Sequence, residues 1–198
     1  MKAPHRFVFE APPEALRALA GDPVLGSLVA RHGPARWGVH GVFPALMRAV
    51  AGQQVSNRAA KRIFARLYRA TEARPERVLA LGEAGLRALG VSRAKARTLL
   101  ALAGAEAAGA FSGFEGLSDE EVRARLLAFK GVGPWTAEMV LIFGLGRPDV
   151  WPASDLGLVQ QAMRHFGLGS REEVARLGER FRPWRSVAAH YLWAENDA

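Results

Sequence analysis

Apolar residues recur three and four positions apart along most of the chain, and stretches of apolar–polar alternation are few. The pattern predicts helices nearly throughout. The exception is Arg6-Phe7-Val8-Phe9-Glu10, which reads as a short extended arm. Pro12-Pro13 opens a helix running to about Gly21, and Asp22-Pro23 opens another that ends near His32-Gly33-Pro34. Proline early and glycine late is the expected asymmetry of a helix. Residues 34–43 read as a loop, and Phe43 to about Ala51 as helix, followed by Gly52-Gln53-Gln54-Val55. Ser56 then caps an amphipathic segment with Ala59, Ile63 and Leu67 on one face and Arg58, Arg62, Arg66 and Arg69 on the other.

Two shorter helices are expected near 76–81 and 83–89, before Gly90-Val91-Ser92 leads into a longer one. Ser118 with Glu121 makes a capping box, with Leu117 and Val122 spaced as its hydrophobic staple. That helix runs into Lys130-Gly131-Val132-Gly133-Pro134-Trp135, after which another continues to about Gly144. Gly146-Arg147-Pro148 breaks it, and either Ser154 or Asp155 starts the next, which ends near Gly167. Ser170 with Glu173 is a second capping box, and a last helix follows Pro183. The fold class is therefore all-α, with roughly ten short helices by these start and stop signals.

Composition narrows the chemistry. With 198 residues, about half of them apolar, the chain can bury a core as one compact domain or two closely packed halves. It holds no cysteine, which excludes disulfides, zinc–thiolate sites, iron–sulfur clusters and thiol catalysis. No apolar run approaches the ~20 residues of a membrane span. No secretory leader is evident at the start, so the expected location is the cytoplasm. The formal charge is +8 and the pI about 10.9, which favours polyanion partners, nucleic acid first.

The glycine-rich turn at 130–135 is the sharpest local feature. It lacks the Lys-Ser/Thr pair of a Walker loop, and a helix precedes it where a nucleotide fold would have a strand. What remains is helix, tight Gly-Val-Gly turn, helix. The amides of Gly131, Gly133 and Trp135 stand at a helix N-terminus, where orphan donors and the dipole favour an anion. Lys130 adds a mobile charge, and without a nucleotide fold the expected anion is a DNA backbone phosphate. Carbonyls of Leu127, Phe129 and Val132 close the preceding helix, where a monovalent cation, Na+ or K+, is a candidate bridge to the phosphate. An ordinary αα-turn with a glycine cap is the plainer reading of the Gly-Val-Gly residues alone.

The wider pattern decides between them. Leu126-Leu127-Ala128-Phe129-Lys130-Gly131-Val132-Gly133-Pro134-Trp135-Thr136-Ala137 resembles the helix-hairpin-helix of base-excision DNA glycosylases. In that superfamily a Gly/Pro-containing loop and then an aspartate follow, matched here by Gly146-Arg147-Pro148 through Ser154-Asp155. Three further segments resemble the 3-methyladenine DNA glycosylase II branch. They are Gly52-Gln53-Gln54-Val55-Ser56 (the loop that wedges into DNA), Leu89-Gly90-Val91-Ser92-Arg93-Ala94-Lys95-Ala96, and Arg182-Pro183-Trp184-Arg185-Ser186. The likeness spans about residues 43–195. Larger members of the branch carry an N-terminal β-rich domain for which this chain has no room. The wedge position holds polar Gln54 where a bulky apolar side chain is usual, and Met139 stands where an aromatic can occur.

The resemblance implies two packed helical subdomains with a cleft between them: about 45–148 with the hairpin, and 1–44 plus 149–198. It implies a monomeric, cofactor-free glycosylase acting on double-stranded DNA that carries alkylated bases such as 3-methyladenine or 7-methylguanine. Asp155 is carried over as the catalytic carboxylate, and is also a candidate N-cap. Gln53, Gln54, Lys130, Gly131, Val132, Gly133 and Pro134 are carried over as the DNA-binding set. An electron-rich pocket for a cationic base would draw on Trp135 and Trp184, with Met139, Tyr191 and Trp37 as further walls. Trp193 reads as a core aromatic and Asp149 as structural. Bifunctional relatives carry a lysine where this chain has Trp135, so no lyase activity is expected. The alternatives are a non-enzymatic helix-hairpin-helix DNA-binding protein and a glycosylase for another damaged base.

Overall fold

A computed structural model describes residues 6–196. The chain folds into two compact units: one covers Val39–Leu145, the other Val8–Gly38 and the chain from Gly146 onward.

The second unit takes up the chain within β1 (Phe7–Glu10), which pairs with β2 (Arg36–Val39). The Arg6 amide donates to Val39 O and the Ala11 amide to Ala35 O, so the pairing is antiparallel. Residues 36–39 were expected as loop. The segment has no alternating signature of its own, and its strand character comes from this partner. Stacking adds to it: Trp37 lies between Phe9, at 4.2 Å, and His190, at 5.3 Å. That stack makes Trp37 a core residue and not a pocket wall.

Between the strands run α1 (Pro13–Ala20) and α2 (Pro23–His32). Asp22 caps α2 by accepting from the Val24 and Leu25 amides. After residue 146 come α9 (Leu156–Phe166), α10 (Arg171–Leu177) and α11 (Arg185–Ala194), with α11 packed on both α2 and α9. The expected capping box of Ser170 with Glu173 forms at the start of α10. Trp151 lies against Gly178, where a Cβ would strike its ring, and its indole N–H donates to Val174 O at 2.9 Å.

The first unit holds six helices among the described residues: α3 (Val42–Gly52), α4 (Asn57–Thr71), α5 (Pro75–Ala88), α6 (Arg93–Ala107), α7 (Asp119–Leu127) and α8 (Pro134–Phe143). Gly82, at φ 61°, breaks α5 into the two shorter helices the pattern predicts. Helices α3 and α8 pack together at the centre of the unit. Eight of the α3 side chains and six of the α8 side chains are buried. Each fully buried aliphatic side chain contributes about 1.5–3 kcal/mol, which makes this pair a rigid base for the loops at its ends. Ser56, Ser92 and Ser118 cap α4, α6 and α7, as their positions suggested. The arginine face of α4, at 58, 62, 66 and 69, is exposed.

Candidate functional site

The hairpin is built as the spacing predicts. Helix α7 closes at Ala128, the turn runs to Gly133, and Pro134 starts α8 with its fixed φ. The two glycines of the turn differ in kind. Gly131 sits at φ 88°, and a Cβ there would run into Thr98 Oγ1. Its presence is required by the fold. Gly133 is extended, at φ −106°, and a Cβ there would meet nothing within 4 Å. Nothing inside the protein demands a glycine at 133, so open space lies in front of the N-terminus of α8. No side chain caps that N-terminus. Lys130 and Pro134 are exposed, and Val132 is buried with its amide donating to Phe129 O at 3.0 Å. That leaves Phe129 O one lone pair, and Leu127 lies on the same exposed turn.

The loop after α3 meets this hairpin. The Gln53 amide nitrogen donates to Gly131 O at 2.9 Å and to Thr136 Oγ1 at 3.0 Å. The Gln53 side chain therefore fastens one loop to the other. Gln54 is exposed and holds a left-handed backbone, φ 54°, an uncommon conformation for a residue other than glycine. Trp135 is half-buried at the mouth of α8, with its indole beside Gly52. Met139 lies one turn further along the same face and is 8% exposed.

In the second unit Asp155, and not Ser154, caps α9. Its Oδ1 accepts from the Leu158 amide at 2.7 Å and from the Trp193 indole N–H at 2.8 Å. The carboxylate is half-buried at the positive end of the α9 dipole. Trp193 is thus a neighbour of the carboxylate, where the sequence suggested a plain core aromatic. Its position in the last turn of α11, opposite the first turn of α9, arises from how those two helices pack, which local spacing does not encode.

Of the two remaining expected pocket residues, Tyr191 belongs to the core. Tyr191 is fully buried; its hydroxyl donates to Gly33 O at 2.9 Å and accepts from the Ala35 amide at 3.1 Å. Burial raises its pKa, and no face of the ring is available to a ligand. Trp184 precedes α11 and lines a depression with Leu19, Asp22, Pro23 and Phe181. The segment around it has another task. Arg185 pairs with Asp149 at 2.7 Å and donates to Asp149 O at 2.8 Å, and Arg182 pairs with Asp149 at 3.1 Å. Ser186 Oγ donates to Arg147 O at 2.7 Å and accepts from the Val150 amide at 2.9 Å. The 182–186 segment tethers the loop that leads to Asp155, and Asp149 is structural, as expected.

Residues 47–185 match the model of the HhH-GPD superfamily of base excision DNA repair proteins. The chain belongs to this superfamily. It is 36% identical over 162 residues to DNA-3-methyladenine glycosylase 1 of Schizosaccharomyces pombe, covering 76% of this chain and 71% of that one. It is 37% identical over 200 residues to the probable bifunctional transcriptional activator/DNA repair enzyme AlkA of Mycobacterium tuberculosis. That match covers 93% of this chain and 40% of the relative's length. The structure of S. pombe 3-methyladenine DNA glycosylase (Mag1) in complex with abasic DNA superposes with a TM-score of 0.85 at 33% identity, covering 93% of this chain and 97% of that one. The hairpin and the Asp155 loop both lie within the HhH-GPD match.

Proposed function

We propose that this protein is a monofunctional DNA glycosylase that releases alkylated bases from double-stranded DNA. The observation that carries the reading is the Asp155 carboxylate, fixed at the start of α9 by the Leu158 amide and the Trp193 indole in a chain of the HhH-GPD superfamily. The names of its relatives, 3-methyladenine glycosylases among them, support the substrate class.

The steps follow from the side chains. The target nucleotide must leave the stack, at a cost of a few kcal/mol. Gly131 to Pro134 and Lys130 hold a backbone phosphate at the open N-terminus of α8, where a monovalent cation at the Leu127, Phe129 and Val132 carbonyls would add charge. Gln54 fills the gap in the duplex and hydrogen-bonds the orphaned base. Trp135 stacks on the extruded base, a cation–π contact worth about 0.5–2 kcal/mol for an alkylated, positively charged purine. Such a base departs without needing a full proton, so the enzyme supplies charge stabilisation. Asp155 stabilises the developing oxocarbenium ion as the glycosidic bond breaks, and water completes the hydrolysis. No lysine amine stands at position 135, so no Schiff base with the sugar forms and the abasic strand stays intact.

Incubation with methylated duplex DNA and identification of the released bases tests this. Free 3-methyladenine or 7-methylguanine is expected, with an uncut strand and no borohydride-trapped adduct. Absence of any released base, or a robust covalent adduct, would overturn the proposal.

A further inference from the structure

The segment Leu89–Ala96 has no part in the chemistry above, yet its side chains converge on the functional loops of the first unit. Gly90 takes φ 96°, Val91 is buried, and Ser92 caps α6. Lys95 then lies in the first turn of α6, where a positive charge is disfavoured by the helix's own dipole. Its Nζ donates to Gln53 O at 2.6 Å and to Ala51 O at 3.1 Å. Those carbonyls belong to the C-terminal end of α3, which needs donors and favours a cation. Half-burial lowers the lysine pKa. One turn on, Thr98 Oγ1 lies within 3.2 Å of Lys130 O and blocks any side chain at Gly131.

We propose that Lys95 is a positioning residue for the wedge: by holding the Gln53 carbonyl it fixes the left-handed backbone of Gln54 and sets that side chain in register with the hairpin. The inference rests on the reading of Gln54 as the wedge. Three links make the register. Lys95 holds the loop from below through its carbonyls, the Gln53 side chain bolts it to Gly131 and Thr136, and Thr98 holds the hairpin turn from the same helix. A left-handed residue other than glycine persists only where its surroundings over-determine it. Without the ammonium, Gln54 relaxes toward ordinary backbone angles and its side chain swings away from the position needed in the stack.

The test is a double-mutant cycle on single-turnover base release from a duplex with one alkylated purine, using wild type, Lys95→Met, Gln54→Ala and the double variant. Lys95→Met is expected to slow release about 10-fold, since misplacements near 1 Å cost up to about 10²-fold. In the Gln54→Ala background the same change is expected to cost less than about 2-fold, because contacting residues that act through one another are not additive. An equal loss in both backgrounds, or none in wild type, overturns the role of Lys95. Should Gln54→Ala alone leave release unchanged, the wedge reading falls and takes this inference with it; that outcome is read without Lys95. Thermal unfolding confirms that the variants are folded, and Lys95→Gln replaces Lys95→Met in the cycle if the latter is not.

Discussion

At the scale of single residues, the two hairpin glycines make opposite predictions. Gly131→Ala places a Cβ at positive φ against Thr98 and should destabilise the fold by about 1–3 kcal/mol. Gly133→Ala meets open space at an ordinary φ and should change stability by less than about 0.5 kcal/mol. Yet Gly133→Ala should weaken DNA binding, because its methyl group stands where the phosphate approaches. Chemical denaturation and a binding titration on the same two variants check both halves. Trp193→Phe is a third test. It keeps the aromatic bulk and removes the N–H donated to Asp155 Oδ1, so base release should fall about 10-fold with DNA affinity retained, in line with ~0.5–1.5 kcal/mol for a hydrogen bond and more to a charge. Asp155 and the hairpin were legible in the sequence because glycines, prolines and a capping aspartate sit at fixed offsets along one chain segment. The partner of Asp155 was not, because Trp184 and Trp193 look alike in sequence and only the packing of α11 on α9 tells them apart. The bonding of Gln53 is hidden for a similar reason: a polar side chain beside an exposed loop points outward or inward according to acceptors that lie 78 residues away.

At the scale of elements, start and stop signals marked the helices well, including the Gly82 break in α5, because caps act locally. Strand β2 was missed because a four-residue strand is made by its neighbour. The segment 182–186 braces a loop that lies far from it in the chain. Ser186 is fully buried and makes its hydroxyl bonds to the loop at 147–150. Ser186→Ala leaves the Val150 amide without that acceptor and should cost about 1–3 kcal/mol of stability. Slower base release should accompany it, since the same loop carries Asp155. Equilibrium unfolding in urea and single-turnover rates measure the two effects side by side.

At the scale of the whole molecule, the +8 charge and the superfamily assignment agree on a polyanion partner, and salt dependence should report it. The end of α11 adds a pH dependence. Glu195 accepts from His32 at 2.6 Å and pairs with Arg31 at 2.9 Å, and the His32 contact, more than the nearby arginine, holds its carboxyl below the ordinary value of 4.5. A carboxylate whose folded pKa is depressed stabilises fully above its unfolded pKa and loses that contribution as pH falls through the folded value. The gap in thermal midpoint between wild type and Glu195→Gln should therefore narrow as pH drops below about 4.5. The central claim concerns the charge of Asp155, and Asp155→Asn isolates it. Asparagine caps helices as well as aspartate does and keeps an oxygen for the Leu158 and Trp193 donors. Base release from methylated duplex DNA should fall by about 10²-fold or more, the scale of losing one charge-stabilising group at a reacting centre, with folding and DNA affinity unchanged. Release at the wild-type rate from a folded Asp155→Asn protein would contradict the account.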